Sequence, residues 1–407
     1  MQIKLLNETE EMLIKYIDEN QNELYHQLSE LVKIDTVNYN TYGNENQGQD
    51  YLEKICHDVN LKTDRFTPES ISGITQHKDY IEGRGGDKRE NLVAILEGED
   101  TSKNVILAAH MDTEVVGDLS QWTDDPFSGV IRDGKIYGRG VVDDKHGVIA
   151  AWFVLKAFKD LGIVPKKNLL LGAYCDEERG GGNGALALGL KYPCDCCLNL
   201  DARNLQAEAC GGGCFKLTLK SIKNDGSVAS VLDVFEGVNL AVEKVAELNN
   251  RPKTKIRLTN AQAGIGGAKE GVVNLAIYTD MTKEQCQAKF DEICVQLKDD
   301  FDRLGLVTDG FVLTTRFFIY GETDKNSKEL QILTDLIREE TGKDVSTDGS
   351  GLSDLSLLLA YCSKNSFNYG SPAGSADGGG SHQPNEHIHC SEYLKFVKKL
   401  ALLLLRM

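Results

Sequence analysis

The chain has 407 residues, of which 41% are hydrophobic and 26% are charged, and its formal net charge at pH 7 is -17. This length leaves room for two domains with a large buried core, and the composition is that of an ordinary globular protein. The strong negative charge argues against nucleic acid or an anionic membrane as a partner. No apolar run approaches the roughly 18–20 residues that a membrane span needs.

The start of the chain lacks the features of an export signal. Residues 7–11 are all acidic or polar, where a signal peptide has an apolar stretch. We therefore expect a cytoplasmic protein whose 11 cysteines are reduced thiols. A cysteine-bound zinc stays open as a minor alternative, because five cysteines are grouped, with loose spacing, in the middle of the chain: Cys194, Cys196, Cys197, Cys210 and Cys214.

The predicted elements of the first half alternate between helices and strands. Apolar residues at helical spacing predict a helical region over 5–32. Short apolar runs predict strands, and a longer amphipathic run predicts one further helix. In chain order these are the strand Val105–Ala109, the helix Lys145–Leu161, the strands Leu169–Tyr174 and Cys197–Leu200, and, much later, the strand Ser366–Tyr369. This alternation predicts an α/β domain with a mostly parallel sheet.

Residues 209–321 have a different pattern and are expected to bury a small core of their own. The segments are the strand Phe215–Leu219, the helix Glu236–Asn250, the strand Val273–Thr279, the helix Lys283–Asp300 and the strand Phe311–Ile319. Because the α/β pattern resumes afterwards, this block predicts an inserted α+β domain. The catalytic domain is then discontinuous, with residues 1–208 as its first part and residues 322–407 as its second.

Histidine and acidic side chains follow several of the predicted strands. They are His110 and Asp112 after the first strand, Asp176, Glu177 and Glu178 after the second, Asp201 after the third, and His382 after the last, with Asp143 at the start of the Lys145 helix. Ligands of an open α/β sheet gather outside the carboxyl ends of its strands. We therefore expect these side chains to converge at one edge of the sheet.

The types of these residues indicate a metal site. Two histidines with three or more carboxylates make nitrogen and oxygen sites that suit Zn²⁺. A shared carboxylate would hold two ions about 3.5–4 Å apart, a pair that clamps an attacking water and a substrate oxygen. A further carboxylate outside the ligand set is then needed to take the proton from that water.

The same motifs resemble those of the metallopeptidase family that includes acetylornithine deacetylase, succinyl-diaminopimelate desuccinylase, aminoacylase and glutamate carboxypeptidase. The matching pieces occur in family order over most of the chain. They are His110-Met-Asp112-Thr113, Gly138-Arg-Gly140-Val-Val-Asp143-Asp-Lys145, Asp176-Glu177-Glu178, Asp201 and His382-Gln-Pro-Asn-Glu386. The resemblance implies a phosphorylase/hydrolase-like catalytic domain with an inserted lid and dimerisation domain, and therefore a homodimer through that domain.

The resemblance also implies a ligand set for two zinc ions per chain, which Co²⁺ could replace. His110 and Asp201 would bind one ion, Glu178 and His382 the other, and Asp143 would bridge the two. The peptide bond between Asp143 and Asp144 is expected to be cis. His387 and His389 compete with His382 for the last position, and the spacing His-x-x-Asn-Glu favours His382.

Two further carboxylates receive catalytic roles from the resemblance. Glu177 is expected to act as the general base and then as the general acid. Asp112 is expected to hydrogen-bond the ring of His110 and so fix its tautomer.

The expected substrate contacts lie in two other segments. The turn 348–354, with Gly351 and Ser353, resembles the family's glycine-rich turn that meets the substrate carboxylate. Ser230 stands where the family has a lid histidine, and residues 209–321 contain no histidine. Either the zinc ions carry most of the oxyanion charge or another group replaces the histidine, with Arg316 among the candidates.

These observations predict a hydrolase that cleaves an amide bond of a small N-acyl amino acid. A dipeptidase or carboxypeptidase of the same family is the alternative within this class. An alternative of another class is a non-catalytic small-molecule binding relative with a degenerate lid, against which the intact Glu177 argues.

Overall fold

The computed structural model of the chain describes residues 6–221, 229–265, 269–343, 347, 351–371 and 378–407. Its α-helices in this part of the chain are α1 (Glu8–Glu19), α2 (Gln21–Val32), α3 (Glu45–Asp58), α4 (Lys145–Asp160), α5 (Asn183–Lys191), α6 (Val231–Ala246), α7 (Lys283–Gln296), α8 (Lys298–Leu304), α9 (Lys328–Thr341), α10 (Leu355–Tyr361) and α11 (Cys390–Arg406). No helix among these described residues is long and apolar enough to cross a membrane.

The strands of the described chain are mostly short. They are β1 (Lys62–Phe66), β2 (Asn91–Leu96), β3 (Asp100–His110), β4 (Ile131–Arg132), β5 (Lys135–Tyr137), β6 (Lys167–Tyr174), β7 (Cys196–Asn199), β8 (Glu208–Ala209), β9 (Gly211–Ser221), β10 (Lys255–Gly264), β11 (Glu270–Thr279), β12 (Leu306–Val307), β13 (Phe311–Leu313), β14 (Gly321–Glu322), β15 (Ser366–Asn368) and β16 (His387–His389).

The chain divides into two compact units. The first, called the catalytic unit below, comprises Met1–Glu208, Glu322–Ser350 and Leu357–Met407, and the second comprises Ala209–Gly321 and Gly351–Ser356. The short segment Gly351–Ser356, which the sequence places in the second part of the catalytic domain, belongs to the second unit in this division.

The catalytic unit is built on a six-stranded sheet in the order β1-β2-β6-β3-β7-β15. The strands β6, β3, β7 and β15 are mutually parallel, whereas β2 pairs antiparallel with both β6 and β1. The apolar runs that predict the parallel strands are buried on both faces, as central strands of such sheets are. Their carboxyl ends therefore lie at one edge of the sheet.

Helices cover both faces of this sheet. In β3, Leu107 packs on the face covered by α2, α4 and α11, whereas Ile106 packs on the face covered by α5 and α10. The period of two along a strand separates the side chains in this way. Helix α4 is buried along nearly its whole length, which explains its high apolar content. The result is a three-layer α/β arrangement.

The second unit has a separate core. Its sheet has the order β10-β11-β9-β12, with β13 also on β9, and all of these pairings are antiparallel. Phe290 of α7 packs against Phe215 and Phe311, with ring centroids 4.6 and 4.7 Å apart. This small aromatic cluster anchors α7 on the sheet.

Most predicted elements differ from the structure by up to five residues at an end, and three differ more. The helical region 5–32 is two helices, because Asn20 leaves the helical conformation and its side chain donates to the carbonyl of Tyr16. The run Lys283–Asp300 is likewise two helices, α7 and α8, which meet at Leu297. The strand predicted over Phe311–Ile319 ends at Leu313.

Candidate metal centre and active site

The structure brings five of the predicted residues together at the carboxyl edge of the sheet. His110 is the last residue of β3, and Asp201 follows β7. Two groups of possible metal ligands lie there, and within each group the donor atoms are within 4.8 Å of one another. One group comprises His110, Asp143 and Asp201, and the other comprises Asp143, Glu178 and His382. Asp143 belongs to both groups.

The two carboxylate oxygens of Asp143 face different histidines. Its Oδ1 lies 2.9 Å from Nε2 of His110, and its Oδ2 lies 3.1 Å from Nε2 of His382. The same His382 nitrogen is 3.0 Å from Oε2 of Glu178. Zinc bonds of about 2.0–2.1 Å in a tetrahedron give ligand–ligand separations of about 3.3 Å. The donor atoms are therefore spaced closely enough to share two ions through Asp143.

The electrostatics of the cluster also fit cations. Burial and, after it, the charge of Asp143 raise the pKa of Glu178 to about 7 and that of Asp201 to about 6. Burial alone would lower the pKa of His382, but hydrogen bonds to Asp143 and Glu178 raise it to about 11. Buried carboxylates at this density repel one another, and divalent cations offset that repulsion.

The segment that leads into Asp143 is held by a buried carboxylate. The peptide bond between Asp143 and Asp144 is cis, as the resemblance implies. The buried carboxylate of Glu386 accepts from the backbone N–H of Val142 at 2.9 Å and from Nη1 of Arg139 at 2.6 Å. Glu386 therefore ties the segment after His382 to the segment that leads into Asp143.

The role expected of Asp112 is wrong in its detail. Nδ1 of His110 lies 2.9 Å from the backbone carbonyl oxygen of Asp112, whereas the carboxylate Oδ1 is 3.8 Å away. The carboxylate is engaged elsewhere, because its Oδ1 accepts from the N–H of Glu177 at 3.1 Å and its Oδ2 from the N–H of Glu178 at 2.9 Å. The backbone of Asp112 orients the histidine, and its side chain fixes the loop that carries Glu177.

Two buried arginines hold the same loop from behind. Arg84 donates to Oδ1 of Asp176 from Nε at 2.9 Å and from Nη2 at 2.7 Å, and Nη2 also donates to the carbonyl of Glu178 at 2.9 Å. Arg89 donates to Oδ1 of Asp176 at 2.7 Å and to Oε1 of Glu45. The loop needs this support, since Asp176 has a φ of 65°, a conformation that is rare for residues other than glycine.

Sequence reasoning missed these arginines. Both lie in a stretch, 76–91, that is rich in polar residues and glycine and that forms turns in the structure, yet Arg84 is 5% exposed and Arg89 is 2% exposed. Hydropathy cannot reveal a buried arginine. The feature of the sequence that points to buried arginines is the motif Asp176-Glu177-Glu178, because three adjacent carboxylates require cationic partners when they are buried.

A family model for peptidase family M20/M25/M40 matches residues 106–406. The chain belongs to this family.

Individual curated relatives match shorter segments. A metallohydrolase of Methanocaldococcus jannaschii is 34% identical over 166 residues, which are 40% of this chain and 37% of the relative. A succinyl-diaminopimelate desuccinylase of Rhodospirillum centenum is 37% identical over 112 residues, 28% of each chain. The chain thus spans less than half the length of these curated relatives.

Solved M20 structures share the fold over almost the whole chain. A dipeptidase of Saccharomyces cerevisiae covers 98% of both chains with a TM-score of 0.73 and 14% identity. A Bacillus subtilis peptidase described as a dinuclear metal binding member of the M20 family covers 96% of this chain and 98% of its own, with a TM-score of 0.63 and 12% identity. At such identities the likeness shows the fold alone.

The remaining predicted residues are not members of the two donor groups. His387 and His389 are on β16, where Nδ1 of His387 lies 3.0 Å from the carbonyl of Asn385, and neither histidine is in the two donor groups. Ser230, Arg316, Gly351 and Ser353 belong to the second unit. Residues 348–350 of the predicted turn are outside the described residues.

Ser230 has a structural role that the sequence did not suggest. It is the N-cap of α6, and its hydroxyl accepts from the backbone N–H of Asp233 and lies 2.9 Å from the carboxylate of the same residue. Such a capping box satisfies the free N–H groups of a helix start.

The five cysteines considered for zinc are not gathered into one group. Cys196 packs on one face of the central sheet and Cys197 on the other, whereas Cys210 and Cys214 belong to the second unit. None of the five is in a donor group of the described residues.

Proposed function

We propose that this M20 protein is a dinuclear zinc hydrolase that cleaves the amide bond of a small N-acyl amino acid. The observation that carries the proposal is the arrangement around Asp143, which offers one oxygen to each of two donor groups. Nitrogen and oxygen donors in this number suit Zn²⁺, and Co²⁺ accepts the same ligands.

The two donor groups give the proposed ligand assignment. His110 and Asp201 would hold one ion, and Glu178 and His382 would hold the other. Asp143 would be shared by the two ions, since it is the residue that both groups contain. The proposed ligands are at the end of β3, after β6, after β7, before α4 and between β15 and β16, so the proposed site requires the folded catalytic unit.

Glu177 is the proposed general base. It directly precedes the ligand Glu178, it is half-buried, and its backbone N–H is fixed by the carboxylate of Asp112. When bound, the two zinc ions supply the Lewis acidity that polarises the amide carbonyl and lowers the pKa of the attacking water. Glu177 takes the proton from that water and donates it to the nitrogen of the leaving amine.

The substrate class rests on the family and on the chemistry of the site. The Rhodospirillum centenum relative is named a desuccinylase, an enzyme class that releases an acyl group from an amino acid. In our proposal Gly351 and Ser353 meet the substrate carboxylate, and Arg316, which is buried, is the candidate to replace the missing lid histidine. Ser230 is the weaker candidate, because its hydroxyl caps α6.

We propose further that the second unit forms a homodimer contact. Helix α6 exposes Leu232 and Phe235, which are 77% and 61% exposed. The helix packs beside β10, an edge strand of its sheet whose Leu258 is also exposed. Exposed apolar side chains next to a free strand edge favour association with a second copy.

Metal removal and a substrate panel test the proposed reaction. Chelation should abolish turnover of N-acyl amino acids, Zn²⁺ or Co²⁺ should restore it, and metal analysis should give two ions per chain. Turnover of dipeptides alone would replace the proposed substrate with the dipeptidase alternative. Two bound ions without turnover of any member of the panel would favour the non-catalytic binding relative.

A further inference from the structure

Two cysteine thiols meet within the catalytic unit at a place the proposed reaction does not use. Sγ of Cys194 lies 3.2 Å from Sγ of Cys362, and Cys194 lies two residues before β7, the strand that contains Cys197. Cys197 lies near the amino end of β7, whereas Asp201 follows the carboxyl end of that strand. The thiols are therefore at the edge of the sheet opposite to the metal donors.

The backbone around the thiols holds Cys194 and Cys362 together. The N–H of Cys197 donates to the carbonyl of Asn365 at 3.2 Å, in line with the parallel pairing of β7 and β15. The hydroxyl of Ser363 donates to the carbonyl of Asp195 at 3.1 Å. These hydrogen bonds join the two segments on either side of the sulfur pair, so the short sulfur separation belongs to the fold.

Cys362 differs in chemical character from the neighbouring Cys197. Hydrogen bonds from the thiols of Cys194 and Cys197 lower the pKa of Cys362 well below its usual value, although burial opposes this. Burial raises the pKa of the Cys197 thiol. Since the thiolate is the nucleophilic form of cysteine, the cluster concentrates its reactivity on Cys362. This residue is 9% exposed, and Cys194 is half-buried, so a small oxidant can reach the pair.

We propose that Cys194 and Cys362 form a reversible oxidation site that closes to a disulfide in the presence of hydrogen peroxide. The sulfurs need to approach by only about 1 Å to reach a bond length of about 2.05 Å. A metal site of three thiolates is less well supported. Among the described residues, two groups have three possible ligand atoms within 4.8 Å of one another, and both contain Asp143.

The chemistry of this closure balances with peroxide as the two-electron oxidant. The Cys362 thiolate attacks one peroxide oxygen, the O–O bond breaks, and the products are a sulfenic acid on Cys362 and hydroxide, which takes up a proton to become water. The Cys194 sulfur then loses its proton, attacks the Cys362 sulfur and expels the second oxygen as water. Two thiols are oxidised to one disulfide, and one peroxide is reduced to two waters.

Thiol counting and peptide mapping of the full-length protein test the proposal. After mild peroxide treatment and removal of the oxidant, thiol titration under denaturing conditions should fall from 11 to 9. Mass spectrometry without reduction should find the peptide containing Cys194 linked to the one containing Cys362, and dithiothreitol should restore all 11 thiols. Cys194→Ser and Cys362→Ser should each prevent the link. The matched control Cys294→Ser, which changes a half-buried cysteine of the second unit, should leave it intact.

Three outcomes would overturn the proposal. An unchanged thiol count at peroxide concentrations that oxidise free cysteine would show that the pair does not close. A link from Cys362 to Cys197 would replace the assigned partner. A metal ion in the untreated protein that is lost in Cys194→Ser while two ions remain would identify a thiolate metal site in place of an oxidation site. Because each of these readouts is independent of turnover, failure here is distinct from failure of the proposed hydrolase.

Discussion

The arginines behind the metal centre give the sharpest test of how the catalytic loop is held. Arg84 makes three hydrogen bonds of 2.7–2.9 Å, two to the carboxylate of Asp176 and one to the carbonyl of Glu178. Arg84→Met keeps an unbranched apolar stem in place of the aliphatic part of the side chain but removes the guanidinium. It therefore leaves the buried carboxylate of Asp176 with less positive charge beside it, and it removes the hydrogen bond that holds the carbonyl of Glu178, next to Glu177.

The size of the effect follows from these contacts. Breaking a buried ion pair by removing one partner costs about 3–5 kcal/mol, and the lower end applies because Arg89 still pairs with Asp176 at 2.7 Å. For a unit of roughly 290 residues, an unfolding entropy of about 2.1 cal/mol/K per residue converts about 3 kcal/mol into a Tm decrease of about 5 °C. Misplacing a catalytic group by about 1 Å can cost about 10²-fold in rate, so we expect kcat to fall by about 10–100-fold.

Calorimetry, metal analysis and steady-state kinetics on the best substrate measure these effects. Both metal ions should be retained, since Arg84 contacts no donor atom of the metal groups. Arg84→Lys keeps the charge but not the forked geometry, and it should recover part of the stability and rate. The exposed Arg132, which pairs with Asp124 on the surface, provides the control Arg132→Met, with a change within about 0.5 kcal/mol. Full turnover and an unchanged Tm in Arg84→Met would refute the reasoning.

Further variants test the proposed roles of other residues. Glu177→Gln should lose about 10²–10⁴-fold in kcat and keep both metals, whereas Glu178→Gln should lose a metal; the opposite pattern would reverse the two roles. Ser230→Ala should cost about 1 kcal/mol through its helix cap and less than about tenfold in turnover, and a fall of several hundredfold with both metals retained would make it an oxyanion donor. Phe235→Lys should convert a dimer to a monomer in sedimentation velocity, and an intact dimer would place the contact elsewhere.

The parts of the fold that the sequence predicts are those with strong hydrophobic patterns. The runs that become β3, β6 and β7 are apolar because both of their faces are covered, and α4 is recognisable for the same reason. The edge strand β10 was missed, since most of its side chains are exposed and the alternation of polar and apolar residues in KIRLTNAQAG is interrupted at the bulge between Leu258 and Asn260. Edge strands lack the burial that produces a readable pattern.

The candidate site also has one part that the sequence predicts and one part that it does not. The metal donors are predictable because four of them come after predicted strands and Asp143 precedes a predicted helix, and because their types are restricted by the chemistry of the ion. The supporting arginines are not, since Arg84 and Arg89 contact Asp176 from 92 and 87 positions away along the chain. Contacts of this kind depend on the pairing of β2 with β6, which no local pattern specifies.

Asp112 shows why the side chains around a metal centre have to be assigned from geometry. The carbonyl of residue 112 accepts from the ring of His110, and a backbone carbonyl is available whatever side chain the residue carries. The carboxylate is required for another reason, because its two oxygens accept the consecutive N–H groups of Glu177 and Glu178. Through its backbone, Asp112 thereby orients His110, a proposed ligand of one ion. Through its side chain it orients Glu177, the proposed base, and Glu178, a proposed ligand of the other ion. This coupling fixes the base relative to both ions, which proton transfer to and from the reacting groups requires.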